Sequence, residues 1–195
     1  MADILIENGR MLTTGGWSES GYLTLQAGKI AALGSGPASI ETRCSAKQVI
    51  SAEGMAVLPG LTNAHTHLSQ TFMRGLSAGR PLIRWLKELI WPLQSAMSLE
   101  ELQLAALLGM VENLRSGATQ VVDHQKITKS PECSQAVCAA AQQSGLHLTL
   151  ARAWADKGTN AESPQAILNE LESLYEGYAN SPTVQIASGP LTPWR

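Results

Sequence analysis

Two of the chain's four histidines, His65 and His67, stand two residues apart in the segment LPGLTNAHTHL. Alternate side chains of a β-strand point to the same side of the sheet, so this spacing predicts two adjacent imidazoles with Thr66 turned away. Paired neutral imidazoles can bind a divalent metal such as zinc, which accepts nitrogen ligands and keeps a position for water at catalytic sites. The spacing is equally compatible with two hydrogen-bonded histidines in a partly buried strand. Their place in the fold has to decide between these interpretations.

The elements that position this pair follow a strand-then-helix order after residue 57. Helix starts are indicated by Ser98 with Glu101 as a capping box, and by the Ser-Pro pairs at 130–131 and 163–164. A further helix in RPLIRWLKELIW is expected to end near Pro92. Parallel strands need crossover connections that helices usually supply, so the pattern predicts a parallel sheet. Its strands are expected near 57–66, 118–124, 146–152 and 183–188.

The first 57 residues have a different pattern. Short apolar runs alternate with glycine-containing turns, which is typical of β-hairpins, and Gly28 is suited to a tight turn. The sequence therefore predicts two domains, a β-rich segment at 1–57 and an α/β domain at 58–195.

Composition and motifs exclude several functions. The net charge is −2 and the lysines and arginines are scattered, which disfavours nucleic-acid binding. The chain has no apolar stretch of membrane-spanning length and does not start like a secretory signal, so no membrane partner is expected. Its three cysteines, an odd number without an export signal, favour free thiols in the cytoplasm. There is no nucleophile elbow, P-loop or complete dinucleotide fingerprint.

Other polar residues fall at the ends of the predicted strands, where open α/β sheets and βα barrels place their active sites. Asp123 and His124 end the second strand, and Arg152 ends the third. We expect these three side chains to converge with the histidine pair and to contact a substrate. Each has a structural alternative: Asp123 could cap the loop that follows it, His124 could be a surface or hydrogen-bonded core residue, and Arg152 could pair with a carboxylate.

Three segments together, VLPGLTNAHTHLSQTFMRGL, the tryptophan-containing helix ending in IWP, and SGATQVVDH, resemble the amidohydrolase superfamily. The similarity is strongest to the branch of triazine hydrolases, S-adenosylhomocysteine-type deaminases and 8-oxoguanine-type deaminases. It implies an α/β fold, the N-terminal part of a (β/α)8 TIM barrel with about four of eight βα units. The preceding strands would belong to a small composite β-sandwich.

This resemblance also implies one divalent metal, zinc or alternatively iron, with His65 and His67 as its first two ligands. Binuclear relatives carry a bridging lysine at the fourth strand, and the strand TVQIASGPL has none, so the mononuclear subtype is favoured. The family's remaining ligands and its proton-transferring carboxylate follow later strands. They are expected beyond Arg195, which leaves no catalytic acid or base within this chain.

Substrate contacts can be carried over at a few positions. Gln70 matches a glutamine of the 8-oxoguanine and triazine members, whose amide can pair with a heterocycle. Gln94 stands where adenosine-type deaminases have a carboxylate for the ribose hydroxyls, and Leu191 where they have a histidine. These departures favour a compact N-heterocycle over a nucleoside, and Trp85 or Trp194 could flank its ring.

The implied reaction is hydrolytic deamination, or dehalogenation, of an amino- or halo-substituted N-heterocycle such as an oxidised purine, a pterin or an s-triazine. A whole barrel takes about 250 residues, so the chain is expected to be truncated and inactive alone. A second chain that supplies the missing strands, or a non-catalytic half-barrel, are the alternatives. A complete protein is expected to form a homo-oligomer.

Overall fold

A computed structural model of the protein describes residues 2–76, 79–157 and 161–191. The chain divides into two compact units, residues 1–59 and residues 60–195. The sequence predicts a boundary two residues earlier, between 57 and 58.

The first unit is a five-stranded sheet with one short helix. Strands β1, β2 and β3 form an antiparallel meander, while β4 and β5 both pair in parallel with β1. The turn between β2 and β3 is the predicted one, since Ala27 and Gly28 both have positive φ, at 50° and 74°. The elements are β1 Ile4–Thr13, β2 Gly16–Gln26, β3 Lys29–Ser35, α1 Ile40–Ser45, β4 Gln48–Ser51 and β5 Ala56–Val57.

A four-stranded parallel sheet in the order β6-β7-β8-β9 forms the second unit. Its strands are β6 Leu61–Thr66, β7 Ala118–Gln125, β8 His147–Trp154 and β9 Val184–Pro190. The predicted βα alternation is confirmed, with each strand within a few residues of its expected position. Apolar side chains of β7, β8 and β9 form one core with the crossover helices, including the fully buried Val121, Leu148 and Leu150.

Helices cover one face of this sheet and begin largely where their caps predict. A 3-10 helix follows β6 at Leu68–Met73, and the longer helices are α4 Leu99–Arg115, α5 Pro131–Ser144 and α6 Pro164–Tyr178. Ser98 and Glu101 make both hydrogen bonds of the predicted capping box, and the Ser163 side chain caps α6 by accepting from the Ala166 N–H. Within the ranges that the structure describes, no helix is long and apolar enough to cross a membrane.

The expected helix end at Pro92 is wrong. The helix runs on from α2 Leu82–Trp85 through a π-helical turn, Leu86–Ile90, into α3 Trp91–Ala96. In this turn the Trp91 N–H donates to the carbonyl of Leu86, five residues back instead of four. In a regular α-helix the Pro92 ring would clash with the carbonyl four residues earlier, and that carbonyl would lose its hydrogen bond. The wider π-helical turn accommodates the ring, so the helix continues.

Candidate metal and substrate site

Three histidines meet at the carboxyl ends of β6 and β7. The ring centroids of His65 and His67 are 4.8 Å apart, and that of His124 lies 5.7 Å from His67 and 6.4 Å from His65. The structure thus brings together three of the residues that the sequence singled out. His65 is exposed, whereas His67 and His124 are partly buried.

A register shift in β6 determines the side of the sheet on which His65 and His67 lie. Asn63 lies opposite Val121 and Thr66 opposite Asp123, so three steps on β6 match two on β7. Val121 and Asp123 are buried on the same side of the sheet, which puts Asn63 and Thr66 on that side too. Between Asn63 and Thr66, β6 has one residue more than β7 has between Val121 and Asp123. With this extra residue, His65 and His67 lie on the opposite side of the sheet, which is also the side of His124. Shifts of this kind commonly re-aim side chains beside active sites.

His67 is held in one tautomer. Its Nδ1 lies 2.9 Å from the backbone carbonyl oxygen of His124, and since a carbonyl can only accept, Nδ1 carries the proton and donates it. This leaves the Nε2 lone pair of His67 for a metal. Burial, together with the positive charge of Lys126, lowers the pKa of His67 to about 4. The imidazole is therefore neutral at pH 7, in the form that binds metals.

The His124 side chain is occupied by a contact within the sheet. Its Nε2 lies 2.9 Å from the carbonyl oxygen of Gly189 on β9, to which it donates. Gly189 allows this approach because a Cβ at that position would lie 2.8 Å from both His124 Cδ2 and the Ala151 carbonyl oxygen. The geometry favours the alternative of a hydrogen-bonded core histidine, with Nδ1 left for any further contact.

Asp123 is buried near the carboxyl ends of β6 and β7. Its side chain is 0% exposed, and Oδ1 accepts a 2.7 Å hydrogen bond from the backbone N–H of Leu68. Burial raises the pKa of Asp123 to about 7, opposed by the Leu68 N–H. The carboxyl group thus caps the turn after β6, and not the loop after β7 that the structural alternative named. A carboxylate without access to solvent cannot readily reach a substrate, so substrate contact by Asp123 stays a prediction.

The structure places Arg152 in a buried ion-pair cluster, on the side of β8 that faces the helices. Its guanidinium donates to both carboxylate oxygens of Glu162, at 2.8 and 2.5 Å, and to Glu170 on α6 at 2.5 Å. Ser134 also donates to Glu170, at 3.2 Å. The cluster links β8 to Glu162 and to α6 and matches the ion-pair alternative, while substrate contact by Arg152 stays a prediction.

The remaining candidates line two cavities. Gln70 and Trp85 share a cavity of about 490 Å³ with His65 and His67. Gln94 and Leu191 line a second cavity, of about 300 Å³, and the amide Nε2 of Gln94 lies 3.4 Å from Ser69 Oγ. The predicted contact Trp194 lies outside the described residues.

Trp91 and Lys129 are among the residues of the second cavity that were not singled out from the sequence. Trp91 lines it from α3, and Lys129 lines it from the loop after β7. The Lys129 ammonium donates to the carbonyls of Ser95 and Met97, at 2.5 and 2.8 Å, and so fastens this loop to the end of α3. Because Lys129 lies just past the end of a strand, its position could have suggested a site residue. No sequence pattern indicates that it binds the end of α3.

His65 and His67 suit part of a metal site. They offer two imidazoles side by side, one of them neutral with its outer nitrogen unprotonated. Among residues 2–76, 79–157 and 161–191, no group of three or more histidine, cysteine or acidic side chains is placed to hold a metal ion. A catalytic zinc typically takes three protein ligands, and the two imidazoles would make up two of such a set.

Comparison with known proteins decides the family. The model of the amidohydrolase family matches residues 56–189, which include both strands of the histidine cluster. The chain belongs to the amidohydrolase family. A curated family relative, 5-methylthioadenosine/S-adenosylhomocysteine deaminase of Syntrophomonas wolfei, is 32% identical over 196 residues, which cover 98% of this chain and 43% of the relative. The chain thus spans less than half the length of that deaminase.

Solved amidohydrolase structures have the same fold. An adenosine deaminase from Xanthomonas campestris with bound zinc is 25% identical, with a TM-score of 0.82 over 97% of this chain and 43% of that protein. A variant of atrazine chlorohydrolase from Arthrobacter aurescens, complexed with zinc and atraton, is 24% identical with a TM-score of 0.83, over 96% of this chain and 46% of that protein. The second likeness shows the fold alone. The predicted fold class, the N-terminal part of a TIM barrel preceded by β-strands, is confirmed.

Proposed function

We propose that this chain is the metal-binding N-terminal part of a hydrolase that deaminates an amino-substituted purine of the adenosine type. The observation that carries this proposal is His67, a neutral imidazole beside His65 whose Nδ1–H is bonded to His124 and whose Nε2 is left for a metal. Two named relatives act on adenosine-type compounds, and one of them holds zinc.

Zinc bound by His65 and His67 would supply an activated water, because such an ion lowers the pKa of water from about 15.7 to roughly 7. The chain's own residues orient this site. The His124 carbonyl fixes the tautomer of His67, and Gln70 lines the same cavity as the histidine pair. An amide there can donate to one ring atom of a heterocycle and accept from another.

Two residues support a second candidate substrate. Gln94 and Leu191 both line the 300 Å³ cavity, where the resemblance would place a carboxylate and a histidine in nucleoside deaminases. A neutral amide is a weaker acceptor for ribose hydroxyls than a carboxylate, and an alkyl side chain cannot hydrogen-bond to them at all. A compact heterocycle such as an oxidised purine, a pterin or a triazine is therefore the alternative to a nucleoside.

The proposed reaction needs more groups than the two histidines offered by the described residues. We propose that the further metal ligands and the proton-transferring carboxylate come from sequence beyond Arg195 or from a second chain. The cytoplasm is the proposed location, because Cys44, Cys133 and Cys138 are all free thiols. Homo-oligomer formation by the complete enzyme stays a prediction.

Zinc affinity measured by calorimetry tests the ligand assignment. We expect residues 1–195 to bind zinc weakly, and His65→Ala and His67→Ala each to weaken it at least tenfold, since each removes one of two ligands. His147→Ala is the matched control, because His147 is exposed at the start of β8. Equal affinity in all four proteins would refute the assignment.

The substrate is tested with protein made from the whole coding frame. Ammonia release from adenosine and S-adenosylhomocysteine is compared with release from 8-oxoguanine and an amino-s-triazine. Faster release from the nucleosides supports the adenosine-type proposal, and faster release from the compact heterocycles supports the alternative. Absence of zinc-dependent release from all four would contradict both.

A further inference from the structure

The residues just after β6 are attached to the end of β7 at two consecutive positions. His67 Nδ1 donates to the backbone carbonyl of His124 at 2.9 Å, and Asp123 Oδ1 accepts from the backbone N–H of Leu68 at 2.7 Å. The two strands pair directly before this point, with Thr66 opposite Asp123. One strand end therefore holds both the ring of His67 and the peptide that follows it.

The hydrogen bond from Leu68 to Asp123 supplies an acceptor at the start of the 3-10 helix. The first N–H groups of a helix have no partner inside it, and a residue at the N-cap usually accepts from one of them through a side-chain oxygen. His67 occupies this N-cap position, with φ −129° and ψ 81°, and makes no capping bond through its side chain. Its Nδ1 donates to the His124 carbonyl, which leaves Nε2 as the ring nitrogen for the proposed metal.

We propose that Asp123 is a positioning residue that caps this helix in place of His67 and thereby leaves the His67 ring free to bind a metal. The inference rests on the proposed function, since it takes His67 as a metal ligand. Asp123 is fully buried and its Oδ2 has no partner among the described residues, so the carboxylate acts through Leu68. A buried, half-satisfied carboxylate is costly, and a role in holding the turn accounts for its presence.

Two substitutions at one position separate capping from mere packing. Asp123→Leu keeps the branching at Cγ, with bulkier methyl groups in place of the two oxygens, and has no acceptor, so the Leu68 N–H loses its partner and the turn after His67 loosens. We expect zinc affinity to fall roughly tenfold or more, as when other groups that orient metal ligands are removed. Asp123→Asn keeps an oxygen for Leu68, and we expect its affinity to stay within about threefold of the wild type.

Two measurements on the metal-free protein do not depend on zinc. In ¹⁵N NMR spectra, His67 should show the Nδ1–H tautomer in the wild type and Asp123→Asn, and a tautomer mixture in Asp123→Leu. The Leu68 amide should exchange slowly with solvent in the wild type, which tests the cap even if Asp123→Leu does not fold. Rapid exchange of this amide in the wild type would overturn the inference, as would a folded Asp123→Leu protein with wild-type zinc affinity and tautomer.

The outcomes distinguish this inference from the proposed function. If His67→Ala binds zinc as tightly as the wild type, the ligand assignment fails, whatever the state of the Leu68 amide. If His67→Ala loses zinc while Asp123→Leu keeps it, the assignment stands and the positioning role of Asp123 fails.

Discussion

Burial shifts two neighbouring titratable groups in opposite directions at the end of β7. The pKa of His67 is lowered to about 4 and that of Asp123 is raised to about 7, in each case chiefly because burial disfavours the charged form. Both groups therefore tend toward neutrality. A neutral imidazole is ready to bind a metal, and a protonated Asp123 still offers a carbonyl oxygen to Leu68.

Asp123 predicts a measurable pH dependence of stability. Its pKa is about 7 in the folded protein and near 3.9 when unfolded, so the folded state holds more protons between these values. The free energy of unfolding of the wild type, minus that of Asp123→Asn, should therefore fall as pH rises from about 4 to 7 and then level off. The steepest slope approaches about 1.4 kcal/mol per pH unit.

Urea titrations of metal-free protein at several pH values measure this difference. His67 contributes with the opposite sign, since its pKa is lowered, but it is present in both proteins and cancels. A difference that stays constant or grows over this pH range would contradict the buried, titrating carboxyl.

Gly189 provides a steric test of the contact between β7 and β9. Gly189→Ala would place a Cβ 2.8 Å from His124 Cδ2 and from the Ala151 carbonyl oxygen, so His124 must move and its hydrogen bond to Gly189 must lengthen. We expect a loss of about 1–3 kcal/mol in the free energy of unfolding, measured in urea. Gly177→Ala in α6 is the control, because its Cβ would meet nothing within 4 Å, and it should stabilise by about 0.5–1 kcal/mol. Equal effects would refute the steric account.

At the scale of elements, the sequence predicted what depends on local patterns. Apolar periodicity and Ser-Pro starts predicted the strands and helices of the parallel sheet, and the i, i+2 spacing predicted the adjacent imidazoles of His65 and His67. The π-helical turn before Pro92 was missed, because proline normally ends a helix and the widened turn has no composition signal.

The finer features of the site depend on neighbours in space. The register shift in β6 is set by pairing with β7, and the capping of Leu68 by Asp123 joins residues 55 positions apart. Arg152 illustrates the same limit, since its partners Glu162 and Glu170 become neighbours only when α6 packs on the sheet. The position of a polar residue at a strand end predicted that it belongs to the site. Which side of the sheet its side chain lies on, that of the histidines or that of the helices, depends on how the strand pairs with its neighbours.

The buried ion pairs of Arg152 should contribute strongly to the free energy of unfolding. Arg152→Met removes a cation whose side chain is 1% exposed and leaves two largely buried carboxylates without their partner. We expect a loss of roughly 3–5 kcal/mol in the free energy of unfolding. Arg84→Met is the control, because Arg84 and Glu88 form an exposed i, i+4 pair that should contribute about 0.5 kcal/mol. A cost below about 1 kcal/mol at Arg152 would contradict a buried ion-pair cluster.

At the scale of the whole molecule, the second unit exposes surfaces of a kind that proteins usually cover. Within the described ranges, β6 and β9 each pair with a neighbouring strand on one side only. The outer face of α4 carries Leu104, Leu108 and Val111, which are 49%, 40% and 40% exposed. Unpaired strand edges and contiguous apolar faces are both sites of association with other protein segments.

Residues 1–195 should therefore bind a hydrophobic dye and self-associate. We expect strong dye fluorescence and an apparent mass that rises with concentration in sedimentation experiments, because association removes apolar surface and open strand edges from water. The double variant Leu104→Gln and Leu108→Gln should bind less dye, in proportion to the apolar area lost from α4. The control is the double variant Glu100→Gln and Gln103→Glu on the same helix, which preserves that area. A chain that stays monomeric at all concentrations and binds no dye would show that these surfaces are covered within the molecule itself.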